Sequence, residues 1–186
     1  MIFVIGGARS GKSSYAEKRM KEMQESLNDV LYIATAIPTD GDMMNRIQRH
    51  QQDREKEWFT IEQYKDFQLL ETDCNFQKVK HILFDCLTLM ITNIMFDHYT
   101  DFDNMSNDEI EQLESSIKEE IIKLIDVCER NKKTLCIVSN EVGFGLVPSY
   151  RLGIIFRDIA GRMNQLIASK ATEVILVTAG IPLRIK

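Results

Sequence analysis

The segment Gly6-Gly7-Ala8-Arg9-Ser10-Gly11-Lys12-Ser13 constrains this chain more than any other, because it fits G-x-x-x-x-G-K-[ST] in full. Met1-Ile2-Phe3-Val4-Ile5 precedes it, a short apolar run that suits a buried strand, and Ser14-Tyr15-Ala16-Glu17-Lys18-Arg19-Met20 follows as the first turns of a helix. Strand, glycine-rich loop and helix in that order is the context that gives the motif physical meaning. Glycines let the backbone turn tightly with its N–H groups facing inward, a nest for phosphate oxygens. The helix N-terminus adds partial positive charge. Lys12 is expected to reach the β- and γ-phosphates and the Ser13 hydroxyl to ligate Mg²⁺. The bland alternative is a glycine-rich turn that matches by chance, and the flanking strand and helix argue against it. The stretch implies a nucleoside triphosphate as ligand.

At 186 residues the chain can bury one sizeable core, so a single α/β domain over 1–186 is the expectation. A net charge of −5 argues against nucleic acid as partner. The four cysteines, Cys74, Cys86, Cys128 and Cys136, lack C-x-x-C spacing and fit reduced thiols in a cytoplasmic setting. No stretch approaches the ~20 apolar residues of a membrane span. The apolar N-terminal run is too short for a signal peptide.

The first helix is expected to run to about Leu27, with a second buried strand over 30–35. A short strand over 58–62, a helical turn or two over 64–71 and a polar loop over 72–77 follow. The strand over 79–85 ends in Asp85, where an acid at the carboxyl end of a strand can act on Mg²⁺ or its water shell. Residues 87–96 (LTLMITNIMF) are apolar almost all round and predict a buried or interface helix. After an acidic loop, Ile110, Leu113, Ile117, Ile121, Leu124, Ile125 and Cys128 mark one face of a long amphipathic helix over 108–130. A strand over 134–139, a loop containing Gly143 and Gly145 beside the site, a helix over 150–170 and a strand over 173–178 complete the pattern. Alternating strands and helices predict a parallel sheet covered on both faces.

Residues 43–55 read as a helix poor in apolar residues. Arg46, His50 and Arg54 recur every four residues and share one side of it. Two guanidinium groups could hold phosphate oxygens and help keep the imidazole neutral and nucleophilic. His50 also continues the Met43/Ile47 stripe, and spacing alone favours a half-buried structural histidine.

GGARSGKS (6–13), LYIAT (31–35), RIQRH (46–50) with Arg54 and Trp58, the strand-end acid with Thr92-Asn93 soon after, NEVGFGLVP (140–148) and FRDIAGRMNQ (156–165) stand in one order along nearly the whole chain. In these pieces the chain resembles the bifunctional adenosylcobinamide kinase/adenosylcobinamide-phosphate guanylyltransferase family of cobalamin biosynthesis. The spacing H-x-x-x-R-x-x-x-W from His50 to Trp58 is far more selective than the phosphate loop, which many unrelated proteins share.

The resemblance implies a P-loop NTPase with a RecA-like, mostly parallel sheet, and two reactions. A nucleoside triphosphate, ATP or GTP, phosphorylates the aminopropanol hydroxyl of adenosylcobinamide. GTP then guanylylates an enzyme histidine, which falls on His50, and the GMP passes to adenosylcobinamide phosphate. Residues implied around the nucleotide are the phosphate loop (Gly6, Gly7, Ala8, Arg9, Ser10, Gly11, Lys12, Ser13), Ala34, Thr35, Ala36, Gln51, Gln52, Asp53, Arg54, Glu62 and Asp85. Lys12 and His50 would be catalytic, Ser13 and Asp85 would serve Mg²⁺, and a homotrimer is implied, with the 87–96 helix a candidate for part of its interface. Asp85 departs from the Glu of the best-known members, and Arg49 stands where some relatives carry a second histidine. Two other classes remain open on the residues alone: a P-loop small-molecule kinase without a covalent intermediate, and an NTP-dependent RecA-like binding module.

Overall fold

The computed structural model describes residues 1–37, 58–145 and 147–186. Its strands are β1 (Ile2–Gly6), β2 (Val30–Ala34), β3 (Phe59–Glu62), β4 (His81–Asp85), β5 (Thr134–Asn140), β6 (Glu173–Thr178) and β7 (Ile181–Arg184). Its helices are α1 (Lys12–Met23), α2 (Cys74–Lys78), α3 (Leu87–His98), α4 (Asn107–Arg130) and α5 (Arg151–Lys170), with a 3₁₀ segment at Phe67–Thr72. All seven strands form one sheet in the order β3-β2-β4-β5-β1-β6-β7. Every pairing is parallel except β6 with β7. This is the α/β architecture of a P-loop NTPase, with the glycine-rich loop leaving the carboxyl end of an interior strand.

Continuous apolar runs make such strands because both faces of the sheet are covered. Successive residues enter opposite cores. Phe3, Ile5, Leu31, Ile33, Ile82, Phe84, Leu135 and Ile137 pack on the face covered by α3, α4 and α5. Ile2, Val4, Val30, Tyr32, Leu83, Cys136 and Val138 pack on the other, against Ala16 and Met20 of α1 and Trp58. The edge strand β3 instead alternates half-buried and exposed residues.

Several boundaries differ from the sequence expectation. Helix α1 stops at Met23, because Gln24 turns to an extended conformation and its Oε1 accepts a hydrogen bond from Trp58 Nε1 at 2.8 Å. A buried indole needs such an acceptor. The expected polar loop over 72–77 contains α2, nucleated by Asp73, whose Oδ1 accepts from the N–H groups of Asn75 and Phe76, each at 2.8 Å. The cap aims Phe76 into the core. The long helix α4 begins with a capping box between Ser106 and Glu109, and its predicted stripe is buried from Leu113 to Cys128. Strand β7 had no period-2 signal strong enough to announce it and is exposed throughout. The expected helix over 43–55 lies outside the described residues.

The α3 run finds most of its partners within the chain. Leu87, Met90, Ile91, Ile94 and Met95 are buried in the main core, and Phe96 is the large apolar residue of that helix left exposed.

Cys86, Cys128 and Cys136 are buried and Cys74 is exposed. Burial pushes the Cys86 thiol up to about 11 and those of Cys128 and Cys136 up to about 12. Thiolate, the reactive form, is therefore suppressed at all three. A thiol reagent applied to the native protein at pH 8 is expected to label Cys74 alone and, after denaturation, all four; rapid labelling of a second cysteine in the native state would contradict this packing.

Candidate active site

The carboxyl ends of β1, β2, β3, β4 and β5 face one way, as parallel strands require, and the phosphate loop, Ala34, Thr35, Ala36, Glu62 and Asp85 lie at or just beyond those ends. The phosphate loop leaves β1 at Gly6. Arg9 and Gly11 take positive φ values of 60° and 89°, Ser10 N closes the turn by donating to Gly7 O at 3.2 Å, and the loop leads into α1 with Gly11 as its N-cap. A side chain at Gly6 would be driven into the Val177 carbonyl of β6 and would stand 2.6 Å from Ser10 Oγ. Backbone bonds fix the loop from below: Gly180 N donates to Ser10 O at 2.8 Å, and Glu141 N to Gly6 O at 3.0 Å. Gly7, Ala8 and Arg9 remain exposed on the outer side.

Lys12 is only 9% exposed, and its Nζ donates to the Gly7 carbonyl at 3.2 Å, across the mouth of the loop. Burial holds its ammonium below the ordinary lysine range, while the nearby Asp85 carboxylate pulls it back up. A cation stripped of water in this way is primed for an anion. Ser13, the next residue, is half-buried in the first turn of α1.

Asp85 ends β4 and accepts a hydrogen bond from the Tyr32 hydroxyl at 2.9 Å. Strand β5 stands between β4 and β1, so Asp85 and the phosphate loop lie two strand spacings apart, about 10 Å. That interval can hold a phosphate group and a hydrated cation. The tip of β5 between them is Asn140, in register with Gly6. Its Nδ2 donates to Thr88 Oγ1 at 2.6 Å, and its carbonyl accepts from Asn164 Nδ2 at 3.3 Å.

Farther along the same edge, Ala34, Thr35, Ala36, Ile37, Glu62, Gln63 and Tyr64 line a cavity of about 170 Å³. Four of these, Ala34, Thr35, Ala36 and Glu62, are residues implied for the nucleotide. Ala34 and Glu62 are register partners at the ends of β2 and β3. A wider depression of about 510 Å³ on α4, lined by Asp108, Glu111, Gln112, Ser115, Ser116 and Glu119, is a solvated helix face with no cation for a triphosphate. The loop after β5 carries Phe144, Val147 and Tyr150 exposed beside the site. His50, Gln51, Gln52, Asp53 and Arg54 lie outside the described residues, as does Arg46.

Asn93, Asn140 and Asn164 stand within the quoted motifs, but the sequence reading assigned no site role to them or to Thr88 and Ser139, the polar groups under the site. Ser139 Oγ donates to Asn164 Oδ1 at 2.7 Å within the core. Their signal was a polar residue interrupting an apolar helix or ending an apolar strand.

A family model described as cobinamide kinase / cobinamide phosphate guanyltransferase (CobU) matches residues 2–185. The chain belongs to this family. Two relatives named bifunctional adenosylcobalamin biosynthesis protein CobU, from Escherichia coli K12 and Salmonella typhimurium LT2, are 43% and 42% identical to it, with 100% of this chain and 99% of each relative covered. The bifunctional adenosylcobalamin biosynthesis protein CobP of Pseudomonas aeruginosa PAO1 is 34% identical over 98% of this chain and 95% of its own. Membership makes the chain an enzyme, a kinase and nucleotidyltransferase of cobalamin biosynthesis that uses nucleoside triphosphates. Among the described residues no helix is long and apolar enough to cross a membrane.

The Lys12 environment yields a signed prediction. A lysine whose folded pKa lies below its unfolded value opposes folding while charged, and that cost fades as pH rises through the folded pKa. Lys12→Met should therefore melt no lower than wild type at pH 7 without nucleotide. Wild type saturated with GTP at a hundredfold over Kd gains about 2.7 kcal/mol, a rise of roughly 5–10 °C. The variant should show none of that rise. A thermal-shift assay in which it retained the rise would remove Lys12 from the phosphate site.

Proposed function

We propose that this chain works as one kinase/guanylyltransferase unit that phosphorylates adenosylcobinamide and then converts its phosphate to adenosylcobinamide-GDP through a guanylyl group on His50. The observation that carries this reading is the family match from residue 2 to residue 185, over a chain whose phosphate loop is fully built. The relatives' printed names, bifunctional in adenosylcobalamin biosynthesis, support both activities.

In the kinase step the substrate hydroxyl attacks the γ-phosphorus, the nucleoside diphosphate leaves, and the hydroxyl proton passes to solvent. The phosphate-loop N–H groups and Lys12 take up the charge on the transferring oxygens. In the second reaction an imidazole nitrogen of His50 attacks the α-phosphorus of GTP and pyrophosphate departs. A phosphate oxygen of adenosylcobinamide phosphate then displaces the imidazole, forming the diphosphate and freeing His50. Two displacements with good nucleophiles replace one difficult step. Ala34, Thr35, Ala36 and Glu62 would receive the nucleoside end of GTP, with Gln51, Gln52, Asp53 and Arg54 beside the histidine.

Mg²⁺ suits the donors present, the half-buried Ser13 hydroxyl and the Asp85 carboxylate, two hard oxygens that leave room for water and phosphate ligands. Bound there, it would neutralise phosphate charge. We also infer a cytoplasmic enzyme that takes ATP or GTP as phosphate donor and assembles as a homotrimer, with exposed Phe96 of α3 available to an interface.

The deciding experiment incubates the protein with GTP labelled at the α- or the γ-phosphate, then denatures it and measures acid-labile, alkali-stable label. Only the α-label should remain, and His50→Ala should abolish it. Absence of α-label on folded wild type would leave a P-loop small-molecule kinase. The pH profile adds a second check. Attack by neutral imidazole should make single-turnover guanylylation fall about tenfold per pH unit well below ~6.5. A flat rate from pH 5 to 8 would reject imidazole as the nucleophile.

A further inference from the structure

Thr35 is the first residue beyond β2, is 1% exposed and forms part of the wall of the 170 Å³ cavity. Its polar groups are all engaged by the β4–α3 unit. Thr35 N donates to the Asp85 carbonyl at 3.2 Å. Its hydroxyl donates to the Cys86 carbonyl at 2.7 Å and accepts from the Cys86 N–H at 2.8 Å. Its carbonyl accepts from Asn93 Nδ2, on α3, at 2.6 Å. The strands do not need this last bond, because the β2–β4 ladder already spans residues 30–34 against 81–85. Asn93 acts beyond the end of the ladder, on the peptide joining Thr35 to Ala36.

We propose that Asn93 is a positioning residue for the guanine-nucleotide reaction. Its amide fixes the Thr35–Ala36 peptide relative to Asp85, so the nucleoside-side wall and the metal-side acid keep one separation when a nucleotide bridges them. Asn93 lies behind the wall and works through Thr35. Preorganisation of this kind lowers the cost of binding a ligand that spans both ends of a site and leaves a ligand confined to one end unaffected. The inference rests on the reading that the cavity takes the nucleoside end of GTP.

The test compares GTP with inorganic tripolyphosphate, which carries the phosphates without the nucleoside. In Asn93→Asp and Asn93→Ala, calorimetry should show GTP binding weakened on the order of tenfold, the scale of one charge-free hydrogen bond in a buried site. Tripolyphosphate affinity should stay within about twofold. The KM for GTP in α-label transfer should rise in parallel, while kcat at saturating GTP changes little. Parallel weakening of both ligands, no change in either, or failure of both variants to fold would assign the bond to fold stability and overturn the proposal. Ala36→Leu, which crowds the cavity, tests the underlying reading separately: GTP affinity equal to wild type there would remove the nucleoside from the cavity, whatever Asn93 does.

Discussion

The site depends first on how closely the backbone packs around Gly6. Strand β1 has a neighbour on each side, and at its last residue no volume is left for a side chain between the β6 carbonyl at Val177 and Ser10. That absence lets the chain turn at once into the phosphate loop. Bonds from Glu141 and Gly180 then hold the loop from the two adjacent strand ends. The loop is thus an extension of the sheet's hydrogen-bonding and inherits its rigidity. Lys12 is buried across its mouth, where desolvation of its ammonium works against stability.

Around this anchor the sheet separates two kinds of interaction. Its middle is apolar on both faces and supplies cohesion without direction. Its carboxyl edge is tied by directional bonds: Tyr32 to Asp85, Thr35 to Cys86, Asn140 to Thr88, Asn164 to Asn140. Apolar packing alone would leave the strand tips free to shift by fractions of an ångström, and phosphoryl chemistry is sensitive to displacements of that order. Buried polar networks of this type specify one geometry when every member is satisfied.

The parts legible in the sequence were those with a local signal. Gly6 to Ser13 declared a loop and its helix, and the runs over 30–35 and 79–85 declared strands that form over Val30–Ala34 and His81–Asp85. The stripe in α4 declared its buried face. Asp73 was a legible cap, overlooked because a polar run masked the single aromatic it steers inward. Strand β7 was hidden for another reason: with all four residues exposed, its pairing with β6 depends on backbone bonds that leave no pattern in side chains. The Asn93–Thr35 bond joins residues 58 apart in sequence, and its residue types would serve equally well on a surface. The family resemblance rested on motifs that span the chain, and it reached the histidine region where periodicity alone favoured a plainer role.

The strand order also governs when the enzyme comes into being. β1 is synthesised before β2, β3 and β4, yet its two neighbours in the sheet, β5 and β6, follow all of these, and the bond from Gly180 to Ser10 joins residues far apart in sequence. Translation at ~5–20 residues per second leaves the nascent phosphate loop without its flanking strands for several seconds at least. Contacts so distant in sequence form late in folding. The phosphate loop is therefore fully braced only once β5, β6 and the turn at Gly180 have been made, and a chain stalled before them carries the motif without its supports.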